Sequence, residues 1–554
     1  MRTMPRVRRV MLRMLRPLIP ALGQVFGRLE APTYHTWLEL WQGTAPATDG
    51  AIRRAVGASP GRLIVTLPDG PGAKASRDSL AGQAVGAWVI AGNAQALARE
   101  AAAGGLVLHL TPGDTLPRHA LAEFALAAAA TPVPLVVYGD EDAGGRGAAP
   151  WFKTAFDPDL LLQQAAFGRA VAYDAGLLVR HGLLGFRGHA LMLAAARAAL
   201  AEAGPGAIAH VAAVLLRRRS ARAPIWRQDT DRAAIAAALA TDGQGVVLLP
   251  GGETPRLRWP LPATPPRVTA IVPTRDGTAL MEACMEGLLR RTDYPALDIL
   301  VCDNDSSDPA LLARFAEWSR DPRFRVLPCP GSFNYSAINN RAARVAEGEI
   351  LLLLNNDTEV QESGWLREMV SHAVRPGIGA VGARLLFPSG RVQHSGTVLG
   401  LGGIAGHDML HSPLRSPGPY DLLRLTRRVS AVTAACLAVR REAFLAVGGF
   451  DEEALRVAYN DVDLCLKLRA AGLANLVTPH AALTHKESAT RGDDMSPAHR
   501  ARWEQERAVM RERWGPALDT DPYYSPSLAL DPPLRVLAYP PRRLPPWHPA
   551  RSQG

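Results

Sequence analysis

Residues 348–360 read GEILLLLNNDTEV, a stretch in which an aliphatic run ends abruptly in polar side chains. The run Ile350–Leu354 predicts a strand that is buried on both faces. Asn355, Asn356 and Asp357 follow at its carboxyl end, where open α/β sheets bind their ligands. Oxygen-bearing side chains with no Lys or Arg beside them suit a hard cation such as Mg²⁺ or Mn²⁺, and the cation suits a diphosphate. The alternative on these residues alone is an Asn/Asp turn or a helix cap.

Strands and helices alternate on the amino-terminal side of this stretch. Arg267–Thr274 (RVTAIVPT) and Asp298–Val301 (DILV) predict strands, and the apolar spacing between them predicts a helix. The order strand, helix, strand, helix, strand implies parallel pairing with right-handed crossovers. The polar strand ends near Asp303 and Asp357 should then open on one edge of the sheet, one for a nucleoside and the other for its metal-bound diphosphate. Neither GxGxxG nor GxxxxGK[ST] occurs at a strand-to-helix junction, which argues against a dehydrogenase or a P-loop ATPase.

Eight motifs occur in order between Arg267 and Gly492: IVPTRDG, VCDNDSSD, FNYSAINN, LLLLNNDTEV, AVTAACLAVRREAF, GGFDEE, YNDVDLCLKLRAAG and THKESATRG. Together they resemble the family 2 glycosyltransferases with a GT-A fold, of the kind that adds rhamnose or a related sugar to bacterial surface polysaccharides. The resemblance implies an α/β nucleotide-diphospho-sugar transferase fold with mixed, mainly parallel sheets. Each motif is weak by itself, and the ordered set carries the resemblance.

The resemblance implies a set of donor-binding residues. Thr274 and Asp303 should contact the nucleoside, with Asp305 nearby. Asn356, inside the NND triplet, is assigned to the same nucleotide-sugar site. Asn339 is a further candidate, although a helix cap explains it equally well.

The resemblance also implies a metal site. Asn355 and Asp357 stand at the first and last positions of the family's DxD motif, and the amide at the first position brings no charge. His485 matches a family histidine that completes the site, whereas an isolated histidine is more often an ordinary core or surface residue. His394 and His407 flank a glycine-rich segment that is expected to be a mobile loop, and we interpret both as ordinary polar loop residues.

Asp461 is the candidate general base. The stretch Val457–Leu468 predicts a turn followed by a helix, with Asn460 as its cap and Asp463 completing a capping box. The family places its base at the second residue of an acidic pair, which here reads Asn460-Asp461. A single carboxylate opposite the leaving group implies one displacement with inversion at the anomeric carbon, as in inverting glycosidases.

The first half of the chain shows signs of an internal repeat. The segment GLVLHLTPGDT, which contains Asp114, parallels EILLLLNNDT, and YGDED followed by FKTAFDPDLLLQQ resembles tandem members of the family. No acid occurs between His189 and Leu200, where the base-bearing helix should lie. We therefore expect two tandem GT-A-like domains, of which the first is degenerate and noncatalytic. Generic α/β patterning is the alternative.

Changes in composition divide the chain. The Pro- and Gly-rich stretch PGGETPRLRWPLPATPP fits a linker, and the charged helix Arg500–Trp514 is expected to pack on the catalytic domain. The Pro- and Arg-rich tail is expected to be poorly ordered. The expected parts are a basic amphipathic segment (1–30), a degenerate GT-A-like domain (31–249), the linker (250–266), the catalytic GT-A domain (267–531) and the tail (532–554).

Charge and cysteine content set outer limits on partners and location. The net charge of +10 suits nucleic acid, anionic lipid or an anionic substrate. The arginines are spread along the chain and no nucleic-acid motif occurs, so we discount nucleic acid. The five cysteines lack disulfide or zinc spacing, which fits a reducing cytoplasm. The N-terminal stretch has a basic start, but Arg13 and Arg16 interrupt its apolar run, and it is too short to span a bilayer. It is interpreted either as a peripheral helix on the inner membrane or as an ordinary solvated helix.

The expected function is that of an inverting, metal-dependent glycosyltransferase. Its donor would be a nucleotide-diphospho-sugar of the dTDP-rhamnose or UDP-hexose type, and its acceptor a glycan or lipid-linked glycan in cell-surface polysaccharide biosynthesis. The alternative is a noncatalytic carbohydrate- or nucleotide-binding protein that retains the fold. Asp357, Asp461 and His485 favour the enzyme.

Overall fold

The fold is taken from a computed structural model that describes residues 33–43, 48–57, 61–143, 150–220, 228–486, 497–531 and 534–548. The predicted amphipathic segment, 1–30, and the end of the THKESATRG motif lie outside the described residues. Among the helices that are described, none is long and apolar enough to cross a membrane.

The first unit is built on a six-stranded sheet. Its strands are β1 (Arg62–Thr66), β2 (Ala87–Ala91), β3 (Leu106–His109), β4 (Val136–Ala143), β5 (Val171–Asp174) and β6 (Ile208–Arg218). Its helices are α1 (Tyr34–Trp41), α2 (Asp49–Val56), α3 (Ala73–Ala81), α4 (Ala94–Ala102), α5 (Ala120–Ala128), α6 (Pro158–Leu161), α7 (Ala175–Arg180), α8 (Gly188–Ala203) and α9 (Gln228–Asp242). The strand order is β2-β1-β3-β5-β4-β6.

A short hairpin follows the first unit. It consists of β7 (Val247–Leu248) and β8 (Leu257–Arg258), which pair antiparallel. The predicted linker, 250–266, therefore includes the second strand of this hairpin and is partly regular.

The second unit is built on a ten-stranded sheet. The strands from here on are β9 (Val268–Thr274), β10 (Leu297–Asp303), β11 (Phe324–Pro328), β12 (Ile350–Leu354), β13 (Thr358–Val360), β14 (Ile378–Leu386), β15 (Val392–His394), β16 (Thr397–Leu399), β17 (Ala405–His407), β18 (Arg427–Val429), β19 (Cys436–Arg440) and β20 (Ala474–His485). The helices are α10 (Thr278–Arg290), α11 (Pro309–Trp318), α12 (Tyr335–Val345), α13 (Trp365–Ala373), α14 (Arg441–Ala446), α15 (Asn460–Ala470) and α16 (Pro497–Asp519). The main path of the sheet is β11-β10-β9-β12-β19-β14-β20-β13, and β16 and β17 form a separate hairpin.

The two sheets share one topology over six strands. The path β2-β1-β3-β5-β4-β6 corresponds to β10-β9-β12-β19-β14-β20, and the strands occur in the same order along the chain. The first three strands of each path are parallel, the fourth is antiparallel to both neighbours, and the last two are parallel to each other. Both paths are thus mixed with a majority of parallel pairs, which confirms the α/β class.

The core of the second unit explains why β12 reads as an uninterrupted aliphatic run. Leu352 and Leu354 pack into a cluster with α10, α11 and α13 on one face of the sheet. Leu351 and Leu353 point into a second cluster with α12, α14, α15 and α16 on the other face. Side chains alternate between faces along a strand, so a strand covered on both sides needs apolar residues at every position.

The two units are joined by buried polar contacts. Asp159 Oδ1 lies 2.6 Å from an Arg375 guanidinium nitrogen, and its Oδ2 lies 3.3 Å from Arg428 Nε. The Gln163 side-chain amide donates to Thr426 O at 2.7 Å and accepts from Thr426 N at 3.2 Å. Asp159 and Gln163 both belong to the FKTAFDPDLLLQQ segment, so this segment is part of the interface between the units.

The expectation of a poorly ordered tail was wrong for residues 534–548. Trp37 Nε1 donates to Ala538 O at 2.8 Å, and Arg543 forms an ion pair of 2.5 Å with buried Glu123. Trp547 is 6% exposed and packs against the first unit. The tail is held because its few aromatic and arginine side chains find buried partners, which its Pro-rich composition does not reveal.

Candidate active site

The candidate donor site lies at the carboxyl ends of β9, β10 and β12. Thr274 and Asp303 end two adjacent strands and are directly paired in the sheet register. Asn356, after the third strand, donates from Nδ2 to Thr274 Oγ1 at 2.9 Å. The structure therefore brings together three of the predicted donor-binding residues.

Carboxylates shape the turn above β10. Asp303 Oδ1 accepts from Ser306 N at 3.1 Å, and Asp305 Oδ2 accepts from Gly331 N at 2.8 Å. Asp305 has a φ of 60°, a left-handed conformation that Asp tolerates better than most residues. Asp303 is half-buried and Asp305 is exposed, so both remain at the crevice while they hold its turn.

Asp276 was missed as a site-shaping residue. It has a φ of 53°, and its Oδ1 accepts from the amides of Ser307 and Asp308 at 2.7 and 2.9 Å. The hydrogen bonds from these backbone amides lower the pKa of the Asp276 carboxyl. The residue thus ties the turn after β9 to the turn after β10. Only the polar R-D-G sequence after the strand hinted at this role.

Asn339 does not lie where we predicted. It is fully buried within α12, and its Nδ2 donates to Tyr335 O of the same helix at 2.8 Å. The helix is capped instead by Asn334, which accepts from Ala337 N at 2.9 Å. The Asn340 side chain binds both backbone groups of Phe450: Nδ2 donates to Phe450 O, and Oδ1 accepts from Phe450 N. The assignment of Asn339 to the donor site is therefore corrected, because its position faces the core.

Asp357 and His485 meet at one point of the crevice. Asp357 Oδ1 lies 3.1 Å from His485 Nε2, and this buried oxygen has no hydrogen-bond partner in the described part of the chain. On the other side of the ring, His485 Nδ1 lies 2.7 Å from Gln393 Oε1. Because an amide oxygen only accepts, Nδ1 carries the proton in the neutral ring. The Nε2 lone pair then faces a carboxylate oxygen.

This arrangement fits a divalent cation. Two electron-rich atoms that converge without a proton between them favour a positive charge at that point, and an oriented histidine is typical of metal sites. Asn355 presents its amide nitrogen to His485 Nε2 at 3.3 Å and its oxygen to the Tyr335 hydroxyl at 3.4 Å. Asn355 would offer an oxygen only after a half-turn of its amide. No cluster of three or more His, Cys, Asp or Glu side chains with metal geometry occurs among the described residues.

Gln393 is a second residue of the candidate site that sequence reasoning missed. Its Nε2 donates to His485 O at 3.5 Å, which orients the amide so that its oxygen meets the ring. It directly precedes His394, and no local pattern distinguishes it from any other polar strand residue.

Asp461 lies in the first turn of α15 and is half-buried. Its Oδ2 accepts from Ala434 N at 3.1 Å, and its Oδ1 accepts from Val462 N at 2.8 Å. Each carboxylate oxygen can accept a further hydrogen bond. The carboxylate is therefore fixed in place and still able to accept a proton.

Asp463 is structural, but not through the predicted capping box. The N-cap position of α15 is Tyr459 and has no side-chain cap bond. The fully buried Asp463 instead accepts from Arg513 and Trp514 of α16 at 2.8 Å each, and Lys467 lies 3.0 Å away. It anchors the predicted C-terminal helix on the second unit.

His394 and His407 are not ordinary loop residues, which corrects our prediction. His394 is fully buried, and its Nδ1 lies 2.9 Å from His407 Nδ1. Burial, followed by the neighbouring His407, Arg427 and His485, lowers the pKa of His394 well below its usual range. The glycine-rich segment between the two histidines forms the hairpin β16–β17.

The first unit has a counterpart of the candidate metal position. Thr115 pairs antiparallel with Arg217, as Thr358 pairs with His485 in the second unit. Asp114 directly precedes Thr115, as Asp357 directly precedes Thr358.

An arginine fills this counterpart. Asp114 is fully buried, its Oδ2 lies 2.8 Å from Arg169 Nη1, and its Oδ1 accepts from Arg219 N at 2.9 Å. Arg169 stands two residues before β5, where the second unit has the small residues Ala434–Ala435 before β19. The guanidinium neutralises the carboxylate that a cation would otherwise balance.

Comparisons with known proteins show which proteins the chain resembles. Residues 269–448 match the family described as Glycosyl transferase family 2. The chain is 40% identical over 453 residues to the O-antigen biosynthesis protein RfbC of Myxococcus xanthus, covering 77% of this chain and 34% of that protein. It is 28% identical over 233 residues to an N-acetylglucosaminyl-diphospho-decaprenol L-rhamnosyltransferase of Mycobacterium tuberculosis, covering 39% of this chain and 74% of that one.

Among solved structures, a mannosyltransferase of Pyrobaculum calidifontis, in complex with GDP-Man and Mn²⁺, is similar at a TM-score of 0.35 and 22% identity. That similarity covers 47% of this chain and 70% of the other. The chain spans 34% of the length of the Myxococcus relative, and 49% of a second relative, an uncharacterized protein of Sinorhizobium fredii to which it is 40% identical over 452 residues.

Proposed function

We propose that this chain, which carries a family 2 glycosyltransferase domain at residues 269–448, transfers a sugar from a nucleotide-diphospho-sugar to a glycan or lipid-linked glycan acceptor. One observation carries the proposal. The candidate base Asp461 and the candidate metal ligands are held by one short segment: Ala434 N donates to Asp461 Oδ2, and Asn355 N donates to Ala435 O at 3.0 Å. A candidate base and a candidate diphosphate site that are held by one short segment suit sugar transfer.

The donor would lie over the ends of β9, β10 and β12. Thr274 and Asp303 would contact its nucleoside, with Asp305 and Asn356 beside them. Asp357 and His485 would hold Mg²⁺ or Mn²⁺, and Asn355 would join them once its amide is reversed. When bound, the cation would neutralise the departing diphosphate and act as a Lewis acid.

Asp461 would act on the acceptor. It takes the proton of the acceptor hydroxyl while the acceptor oxygen bonds to the anomeric carbon and the bond from that carbon to the diphosphate breaks. A single base on the face opposite the leaving group implies inversion, as in the corresponding glycosidases. Ala434 N fixes one carboxylate oxygen, so Asp461 is oriented before the acceptor arrives.

We also propose that the first unit is a degenerate, noncatalytic copy of the second. The shared strand order supports a duplication, and the Arg169 guanidinium beside Asp114 leaves no charge for a cation to balance. Helix α8, which corresponds to α15, has no acid between His189 and Leu200.

The wider role is proposed from chemistry and from the relatives. Nucleotide-sugars are cytoplasmic substrates, so we place the enzyme on the cytoplasmic side, with a lipid-linked acceptor at the inner membrane surface. The printed role of the Myxococcus relative in O-antigen biosynthesis supports a cell-surface polysaccharide as the product. A noncatalytic binding protein would not need a half-buried, oriented carboxylate at Asp461.

A donor screen tests the proposal. Purified protein is incubated with Mn²⁺ or Mg²⁺ and a panel of UDP-, dTDP- and GDP-sugars, and donor binding and donor hydrolysis are both measured. We expect one donor class to bind in the presence of metal and to be hydrolysed slowly, with Asp461→Asn binding it equally well. Donor binding without hydrolysis, and without transfer to any lipid-linked acceptor fraction, would favour the binding protein instead.

A further inference from the structure

The segment Thr433–Ala435 touches both halves of the candidate chemistry. Its Ala434 N donates to Asp461 Oδ2 at 3.1 Å. The Ala434 carbonyl accepts from the Tyr335 hydroxyl at 3.1 Å, and that hydroxyl also lies 3.4 Å from Asn355 Oδ1. A shift of this segment would therefore move the base relative to the metal ligands.

One buried side chain holds this segment from behind. His394 is fully buried, and its Nε2 accepts from Thr433 N at 3.4 Å and from Gly396 N at 3.3 Å. Thr433 N and Ala434 N are consecutive amides, so His394 binds one and Asp461 the next. The imidazole and the candidate base are thus linked through a single peptide unit of the backbone.

The tautomer of His394 follows from its partners. Backbone amides only donate, so Nε2 must carry the lone pair and Nδ1 the proton. Nδ1 faces His407 Nδ1 at 2.9 Å, which therefore accepts. The two rings lie nearly perpendicular, at an interplanar angle of 85°, and His407 Nδ1 accepts the Nδ1 proton that this tautomer of His394 carries.

We propose that His394 is a positioning residue for Asp461, acting through the Thr433 and Ala434 amides, and that His407 keeps it in the required tautomer. The proposal rests on the function proposed above, because it concerns the base of that reaction. His394 touches no substrate in this scheme. Its contribution is to hold the carboxylate at the angle from which it reaches the acceptor hydroxyl.

Two conservative variants separate this role from simple packing. In His394→Gln the side-chain oxygen can occupy the position of Nε2 and still accept from both amides. In His394→Asn the shorter side chain cannot reach them, although the residue remains polar. We expect His394→Asn to lower kcat roughly 10- to 100-fold, the scale of small misplacements of catalytic groups, and His394→Gln to recover most of it. Donor affinity should be the same in both variants.

A double-mutant cycle with Asp461→Asn gives the decisive readout. If His394 acts only through Asp461, His394→Asn should cause no further loss of kcat once the base is gone. Independent losses that multiply would overturn the proposal, as would equal kcat values for His394→Gln and His394→Asn. His407→Ala changes a half-exposed residue and replaces His394→Asn in the test if that variant does not fold. We expect His407→Ala to lower kcat as well, and an unchanged kcat would count against the proposal.

A matched control separates the positioning role from a general loss of stability, and the wild-type protein separates failure of this proposal from failure of the proposed function. His119 is buried in the first unit, far along the chain from the site, and is 1% exposed. His119→Asn should lower the melting temperature without changing kcat. Failure of the proposed function would appear earlier, as absence of transfer by the wild-type protein with every donor tested.

Discussion

Asp357 Oδ1 and His485 Nε2 lie 3.1 Å apart although 128 positions separate them in the sequence. Antiparallel pairing of β13 with β20 brings them together. In the neutral ring, Gln393 places the proton on the far nitrogen, so neither atom of the near pair donates to the other. The metal-site proposal depends on this relationship.

Asp357→Ala tests the carboxylate of that pair. The Lewis acid contributes several kcal/mol to such reactions, so we expect transfer to fall by roughly three orders of magnitude. The melting temperature should change little, because the residue lies at a strand end. Glu359→Ala is the matched control, since its carboxylate pairs with Lys486 at 2.5 Å. Activity of Asp357→Ala near the wild-type level in chelator-treated buffer would refute the metal assignment.

Gln393→Leu tests the support of His485. The variant keeps the side-chain volume but leaves the Nδ1 proton unpaired and the ring free to turn. We expect Mn²⁺ affinity, measured by calorimetry or electron paramagnetic resonance, to fall roughly 10- to 100-fold. Gln361→Leu, a change at an exposed glutamine that donates to Thr484 Oγ1 at 2.9 Å, should leave the affinity unchanged. Equal affinities for both variants would mean that Gln393 does not orient a ligand.

Arg169→Ala and Asp114→Ala test the filled site of the first unit. Each variant removes one partner of a buried ion pair, which lowers the free energy of unfolding by about 3 kcal/mol. This value is the lower end of the usual range, and we choose it because Arg169 is partly exposed. The double variant Asp114→Asn with Arg169→Gln should be closer to wild type than either single variant. Transfer rates of all three should be unchanged. A loss of transfer at unchanged stability would show that the first unit holds a working site.

Asp157, at the interface between the units, should make stability depend on pH. Burial, with the Asp159 carboxylate as a second cause, raises the pKa of Asp157 from 3.8 to about 6. The folded state then binds this proton more tightly than the unfolded chain does. The contribution to stability is therefore full below pH 3.8 and is lost as the pH rises through about 6. In Asp157→Asn the melting temperature should fall less with rising pH across this window, and parallel profiles would contradict the assignment.

Local patterns predicted the elements that build the crevice. The strand Ile350–Leu354 has the predicted ends, and the helix after Gly277 and the charged helix near Arg513 are confirmed. These succeed because periodicity and turn residues within one segment carry the signal.

Long-range partners could not be predicted in the same way. Gln393 meets His485 across 92 positions and Asp463 meets Arg513 across 50, so no spacing rule reveals either contact. Trp547 is buried against the first unit although its surroundings read as a disordered tail. In each of these places tertiary packing decided the role of a residue that looked unremarkable in the sequence.

Asp463→Asn is the structural counterpart of a base variant. Asp463 is buried against Arg513, Trp514 and Lys467, so its charge stabilises the attachment of α16. We expect a lower melting temperature and a small effect on kcat. A melting temperature equal to that of the wild-type protein would show that the ion pairs of Asp463 do not hold the helix.

The kcat of Asp461→Asn, measured with the donor that the screen identifies, tests the central claim most directly. The variant keeps the size of the side chain and can still accept from one backbone amide, but it cannot take a proton. We predict a loss in kcat of roughly 10²- to 10⁴-fold with donor affinity unchanged, because proton removal matters only as the transition state forms. A wild-type kcat in Asp461→Asn, together with an abolished kcat in Asp463→Asn at full stability, would contradict the account.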